Sequence, residues 1–172
     1  RIHMSAIWGV VSLEENRTVP VHAREVFETE YGKCKLDECR GIEGRDAYFG
    51  CGIQHITPQS VKEVLPEKDG DKLLFTADCV LDNRMDVIEL LCGHGYEKKA
   101  LEEMADGSLM FLAYRIWGKQ CVTHFRGLFS MAVWDAGKRS LTLWSDHVSG
   151  RCLYYVQQGN LVAFSTLMEP LV

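Results

Sequence analysis

Gly127-Leu128-Phe129-Ser130-Met131-Ala132-Val133-Trp134-Asp135, then Ala136-Gly137-Lys138-Arg139, then Ser140-Leu141-Thr142-Leu143-Trp144, is the stretch whose reading decides the fold. Two short runs of apolar, aromatic and β-branched residues flank a connection that contains glycine, the pattern of a β-hairpin. Leu153–Val156 and Leu161–Phe164 around Gln157–Asn160 repeat that pattern. Working back toward the start, Gly107–Trp117 carries Leu109, Leu112, Ala113 and Ile116 at helical spacing, with Asp106 placed to cap it. A helix after Gly95 presents Leu101 and Met104. Another follows Asp82-Asn83 and presents Val87, Leu90 and Leu91. Lys72–Leu81 reads as a central strand, and Tyr48–Thr57 as a strand broken by Gly50 and Gly52 and ended by Pro58. Gly32–Asp46 has neither period and is expected to be a long loop, His22–Tyr31 a helix, and Ser5–Leu13 a buried strand. With helices in the middle and hairpins at the end, the pattern is α+β with antiparallel sheets.

The 172 residues are room for one domain, and 47% hydrophobic with 25% charged residues is the balance of a globular chain. A net charge of −5 with both signs interspersed argues against a nucleic-acid partner. The longest apolar runs, Ala6–Leu13 and Leu128–Trp134, fall far short of the roughly 20 residues of a membrane helix. Seven cysteines, an odd number without a CxxC pair, point to free thiols in a reducing cytoplasm. Cys79, Cys92, Cys121 and Cys152 stand in apolar stretches, as small hydrophobes do. Cys34, Cys39, Cys51 and His55 together have the donor types of a zinc site, but the spacing is loose and no metal is expected. Trp117, Trp134 and Trp144 are read as core, and His124 and His147 as ordinary polar residues. Arg1-Ile2-His3-Met4 reads as a vector remnant ending in a start methionine, which leaves Ser5 first in a domain of residues 5–172.

Gly127–Asp135 resembles the "GxFAFALWD" strand of glutamine-dependent asparagine synthetases. Asp146–Tyr155 resembles their "RDxxGxxPLYY" stretch, with Ser145 and Cys152 in place of its Arg and Pro. Asp82-Asn83-Arg84 before a helix, and Asp106 opening the helix that ends Ala113-Tyr114-Arg115-Ile116-Trp117-Gly118, keep the order of that family's amidotransferase domain. Met4-Ser5-Ala6-Ile7-Trp8-Gly9 is similar to "MCGIxG" with its Cys and Gly exchanged. The resemblance implies an N-terminal-nucleophile (Ntn) hydrolase-like fold, a four-layer α/β/β/α sandwich. The chemistry it implies is hydrolysis of the side-chain amide of glutamine.

That chemistry needs a first-residue thiolate with its own α-amine as base, an arginine for the substrate carboxylate, an oxyanion donor and an aspartate for the substrate ammonium. Carried over by the resemblance, the nucleophile falls on Ser5 and the arginine on Ile53. In the stretch matching "NGEIYN", the oxyanion Asn falls on Ala77 and the Glu on Cys79. The "RGPD" loop has no counterpart in Lys33–Asp46, and only Asp106 keeps its family role. The expected function is therefore an amidotransferase-like domain with a degenerate glutaminase site, filled by its own side chains or by Gly32–Asp46. It would be a scaffold for an ATP-dependent amide-forming synthetase domain, the arrangement of β-lactam synthetases and lasso-peptide cyclases. No "SGGxDS" loop occurs here, so ATP and Mg²⁺ are expected only for such a domain, and none for this chain. Two alternatives stay open: a stand-alone partner-binding module, and an amidase using Ser5. Self-association also stays open.

Overall fold

The computed structural model describes residues 5–146, 152–167 and 169–172. The apolar run after Ser5 forms β1 (Ala6–Ser12), which is buried along its whole length because both of its faces are covered. Ile7 and Val11 point into the core between the sheets, while Ala6, Trp8 and Val10 join a second core with Phe27 and Tyr31 of α1 (Val21–Gly32). β1 lies at the centre of a five-stranded antiparallel sheet, flanked by β3 (Ala47–Ile53) and β9 (Leu161–Ser165). The edges of that sheet are β2 (Glu38–Gly44) and β8 (Tyr154–Gln158). The facing sheet orders β4 (Glu67–Asp69), β5 (Leu73–Leu81), β6 (Gly127–Asp135) and β7 (Ser140–Ser145). On its outer side lie α2 (Arg84–Cys92), α3 (Lys98–Glu102) and α4 (Asp106–Trp117), with Phe111 of α4 stacked 4.9 Å from Phe75 of β5. The layers run α1, sheet, sheet, α2–α4: the α+β sandwich with antiparallel sheets expected from the sequence.

Both C-terminal hairpins form as read, and β6 pairs with β7 from Ser130↔Ser145 to Asp135↔Ser140. Several expectations need correction. Gly32–Asp46 is not a loop: Glu38–Gly44 is a strand paired with all of β3 from Glu38↔Ile53 to Gly44↔Ala47. Apart from Ile42, its side chains are charged or small, because an edge strand needs polar residues rather than an apolar run. Gly50 and Gly52 do not break β3. A Cβ on Gly50 would sit 1.9 Å from Trp8 Nε1 and one on Gly52 2.3 Å from Leu36 Cδ1, so both glycines make room for neighbours lying flat on the strand. β3 ends at Ile53, and Pro58 instead opens a short 3₁₀ helix, Pro58–Lys62, which Thr57 and Ser60 cap reciprocally. On α2 the buried residues are Val87, Ile88 and Leu91, whereas Leu90 is 41% exposed. α3 is shorter than expected and leaves Met104 beyond its end. Cys152 is exposed rather than packed. His147 lies outside the described residues. Trp134 is buried with Nε1 donating to Arg45 O at 2.8 Å, and Trp117 and Trp144 pack half-buried against the core.

The ends of three hairpin arms meet at one end of the sandwich. Arg139, in the β6–β7 turn, donates to Asp46 Oδ2 at 2.8 Å and to the carbonyls of Ser12 and Glu14 at 2.5 and 2.7 Å. Asp46 also accepts from Asn16 N at 3.2 Å. These three, Asn16, Asp46 and Arg139, are the non-glycine residues with positive φ among those described. No helix among the described residues is long and apolar enough to cross a membrane.

Candidate functional site

At the opposite end of the sandwich, the start of β1, the end of β3, the second half of β5 and the start of α4 converge. Antiparallel pairing of Ala6 with Gly52 sets Ser5 beside the end of β3, where its Oγ accepts from Gln54 N at 3.3 Å. β5 brings in Ala77 and Cys79, and α4 begins with Asp106. All five positions singled out from the sequence, Ser5, Ile53, Ala77, Cys79 and Asp106, line one cleft. It encloses about 30 Å³. That is room for roughly two waters, against roughly 300–1,000 Å³ for a pocket that engulfs a small molecule.

Asp106 does not cap α4 as expected. Ala105 holds the N-cap position, and the Asp106 carboxylate reaches elsewhere, accepting from Leu81 N at 3.0 Å through Oδ2 and from Arg84 Nη1 at 2.8 Å through Oδ1. Arg84 is itself anchored by the carbonyls of Glu102 at 2.9 Å and Met104 at 2.5 Å. The two side chains are 16% and 14% exposed, so this is a largely enclosed ion pair. Asn83 likewise does not cap α2 with its side chain. It bridges instead to His124 O at 2.8 Å and Arg126 N at 2.9 Å, which fixes the strand-to-helix corner beside Arg84.

The remaining wall is the Thr57–Glu63 segment together with Cys51 and Asp78. Glu63 accepts from Val64 N at 3.1 Å, Leu65 N at 3.4 Å and Gly107 N at 3.2 Å. Burial pushes its carboxyl above the usual carboxylate range, and those three backbone donors pull against the rise. Burial and the carboxylates of Glu63 and Asp78 hold both Cys51 and Cys79 well above an ordinary thiol, with Asp106 adding to the effect on Cys79. Both are therefore thiols at neutral pH and poor nucleophiles. Cys51 donates weakly to Ala77 O at 3.7 Å. Ile53, the position to which the resemblance assigns the carboxylate-binding arginine, is a buried aliphatic residue, 2% exposed.

Sequence reasoning missed Glu63, Cys51 and the Thr57–Ser60 turn as cleft residues. Thr57-Pro58-Gln59-Ser60 carried a readable capping signal, but Glu63 sits in a polar stretch without any period. Gly32–Asp46 does not fill the cleft. No residue of that segment lines it, because β2 is two strands away from β1 on the sheet edge. The sulfur-rich set is not assembled either. Cys39 pairs with Gly52 and Arg40 with Cys51, which puts Cys39 and Cys51 on opposite faces of the sheet, while His55 Nε2 lies 3.3 Å from Glu38.

Comparison with known proteins agrees with this architecture. A solved structure of glutamine phosphoribosylpyrophosphate amidotransferase from B. subtilis, complexed with ADP and GMP, superposes with a TM-score of 0.61 at 12% identity. The match covers 96% of this chain and 42% of that one, and it shows a shared fold, that of an N-terminal-nucleophile amidotransferase. Among curated proteins, "Asparagine synthetase [glutamine-hydrolyzing] 3" of Bacillus subtilis (strain 168) is 24% identical over 103 residues, 60% of this chain but only 16% of that protein. The family model described as "Glutamine amidotransferase domain" matches residues 54–172, from the end of β3 through the cleft wall, α4 and both hairpins. The chain therefore belongs to the glutamine amidotransferase domain family.

Proposed function

We propose that this domain keeps the amidotransferase fold without hydrolysing glutamine and serves as a scaffold for an ATP-dependent amide-forming domain, as the amidotransferase part of an asparagine-synthetase-like protein of the cytoplasm. One observation carries the reading: Asp106, the single polar residue carried over from the family's substrate site, is already held by Arg84 and Leu81 N. A substrate ammonium would have to displace a guanidinium that is also held by the carbonyls of Glu102 and Met104. The other three roles fall on Ser5, Ile53 and Ala77, which supply no thiolate, no cation and no amide donor. A zwitterion entering such a cleft would leave its carboxylate desolvated and unpaired, at a cost of several kcal/mol. The length of the asparagine synthetase relative, of which the match spans 16%, supports the scaffold half of the proposal.

The test is a coupled ammonia assay on protein processed so that Ser5 carries a free α-amine. The expected result is no glutamine-dependent ammonia above background, from either the parent protein or Ser5→Cys, because a restored thiol still lacks its anchor and oxyanion donor. Steady ammonia release that Ser5→Ala abolishes would overturn the proposal and favour an amidase that uses the serine hydroxyl.

A further inference from the structure

Each sheet of the sandwich has two edges, and the residues on them differ by side. On one side lie β2, with Glu38, Arg40 and Glu43, and β4, where Glu67, Lys68 and Asp69 are all charged. On the other lie β7 (Ser-Leu-Thr-Leu-Trp-Ser) and β8 (Tyr-Tyr-Val-Gln-Gln), which carry no charge at all. Charged side chains on an edge strand deter a further strand from adding to it, and an edge without them is open to one. β7 is half-buried over all but its last residue, whereas β8 is exposed from Tyr155 to Gln158. β8 is also regular. It pairs residue for residue with β9, from Tyr154↔Ser165 to Gln158↔Leu161, with neither a bulge nor a proline to turn the edge away. Tyr155 shares a face of the sheet with its partner Phe164, yet Phe164 is buried between the sheets and Tyr155 is 69% exposed. The larger sheet therefore overhangs the smaller one at β8. On the opposite face of the strand, Val156 is 40% exposed. Among the described residues no strand pairs with the outer side of β8.

We propose that β8 is the contact surface for a second copy of this chain, pairing antiparallel with its own counterpart so that two five-stranded sheets join edge to edge. The residues suit a two-fold axis at Val156. Tyr155 then stands opposite Gln157 of the second copy and Tyr154 opposite Gln158, and the same holds in reverse. The two Tyr155 rings become diagonal neighbours on one face, at the roughly 7–8 Å spacing that aromatic side chains can bridge. No like charges meet along this edge, although each copy carries a net charge of −5. Pairing β8 with β2 of another copy would instead lay Tyr155 and Val156 against Glu38, Arg40 and Glu43. It would also leave one free edge of each kind and grow an open filament, whereas the two-fold arrangement closes after two copies. No residue of β8 lines the cleft, so the dimer stands or falls independently of the missing glutaminase activity.

The experiment is sedimentation equilibrium of the full chain from about 1 µM to about 1 mM. A monomer–dimer equilibrium with a micromolar Kd is expected, because one strand pair lies at the small end of specific interfaces, below roughly 1,200 Å². Val156→Lys brings two ammonium groups together at the axis, and Tyr155→Lys replaces the most exposed ring of the edge. Each should weaken the dimer by roughly tenfold or more, with an unchanged circular dichroism spectrum confirming the fold. Glu43→Gln, on the opposite edge, leaves the dimer as it was. Backbone hydrogen exchange along β8 slows with rising concentration in the parent protein and does not in Tyr155→Lys. A chain that stays monomeric up to about 1 mM overturns the proposal and leaves the edge to a different partner. A dimer untouched by both lysine variants, or loosened by Glu43→Gln, overturns it by placing the contact elsewhere. Open-ended growth overturns the two-fold pairing.

Discussion

If Asp106 is held by Arg84, cutting that link has a cost that can be bounded from the geometry. Arg84→Met keeps the alkyl stem and removes one ionic hydrogen bond at 2.8 Å and two to carbonyls at 2.9 and 2.5 Å. Hydrogen bonds to a charged group contribute about 1.5–3 kcal/mol each, but they are not additive here, because Asp106 is left enclosed without its cation. Removing one partner of a buried pair costs about 3–5 kcal/mol, and with side chains 16% and 14% exposed the lower end applies, about 3 kcal/mol. In a chain of this size that lowers Tm by roughly 6–12 °C. Asp106→Asn retains an acceptor for Leu81 N and leaves Arg84 on its carbonyls, so about 2 kcal/mol is expected. The double variant then costs less than the sum by about 1.5–2 kcal/mol, the coupling of the pair. Equilibrium urea unfolding of the four proteins at pH 7 measures this, and 0.5 M salt is expected to change the coupling little. A coupling below about 0.5 kcal/mol would mean that Asp106 is not committed to Arg84 and stands ready for a ligand ammonium, which removes the support for the non-hydrolytic reading.

Millimolar glutamine or glutamate is expected to leave Tm unchanged, whereas a ligand at about 100 times its Kd adds roughly 2.7 kcal/mol, so a glutamine shift lost in Asp106→Ala would contradict the proposed function. Glu63 has a raised carboxyl, so its folded form holds the proton more tightly than the unfolded chain does. The destabilisation from its ionisation is absent below the ordinary value near 4.5 and complete above the folded value, so Glu63→Gln should gain ground on the parent protein as pH rises, in urea titrations from pH 4.5 to 8. A flat difference would count against burial at Glu63. In the folded protein at pH 7.5, iodoacetamide should label Cys34, Cys39 and Cys152, while Cys51, Cys79 and Cys121, the last pushed up to about 12 by burial, stay unreacted until urea is added.

What the sequence discloses here depends on whether a residue's neighbours are local. β6 and β7 were legible because their apolar runs and the Gly-containing turn are all within twenty residues. β2 was not: its edge position lets Glu38, Arg40 and Glu43 face water or pair as ions, so no period marks it. Gly50 and Gly52 read as breakers because their purpose, room for Trp8 and Leu36, lies on other elements. In the site, Ser5, Ile53, Ala77, Cys79 and Asp106 could be placed by resemblance, and they do share one cleft. The engagement of Asp106 with Arg84 could not be read, because a carboxylate opening a helix looks like a cap until its 22-residue-distant partner is seen. Glu63 was hidden for the same reason, since its meaning comes from Gly107 N, 44 residues away.

The Arg139 clasp and the cleft occupy opposite ends of the same strands: β1 runs from Ala6, next to Ser5, at one to Ser12 at the other, and β3 returns from Ala47 to Ile53. The knot of Asn16, Asp46 and Arg139 draws its strength from backbone carbonyls and one enclosed ion pair, none of which lines the cleft. The joint that registers the hairpin tips thus shares no residue with the cleft. Mutations can accumulate at the cleft end without loosening the joint that registers the hairpin tips. A lineage in which hydrolysis ceased to matter would keep its sandwich while its pocket drifted, and random mutagenesis should find the cleft, apart from the Asp106–Arg84 pair, the more permissive end.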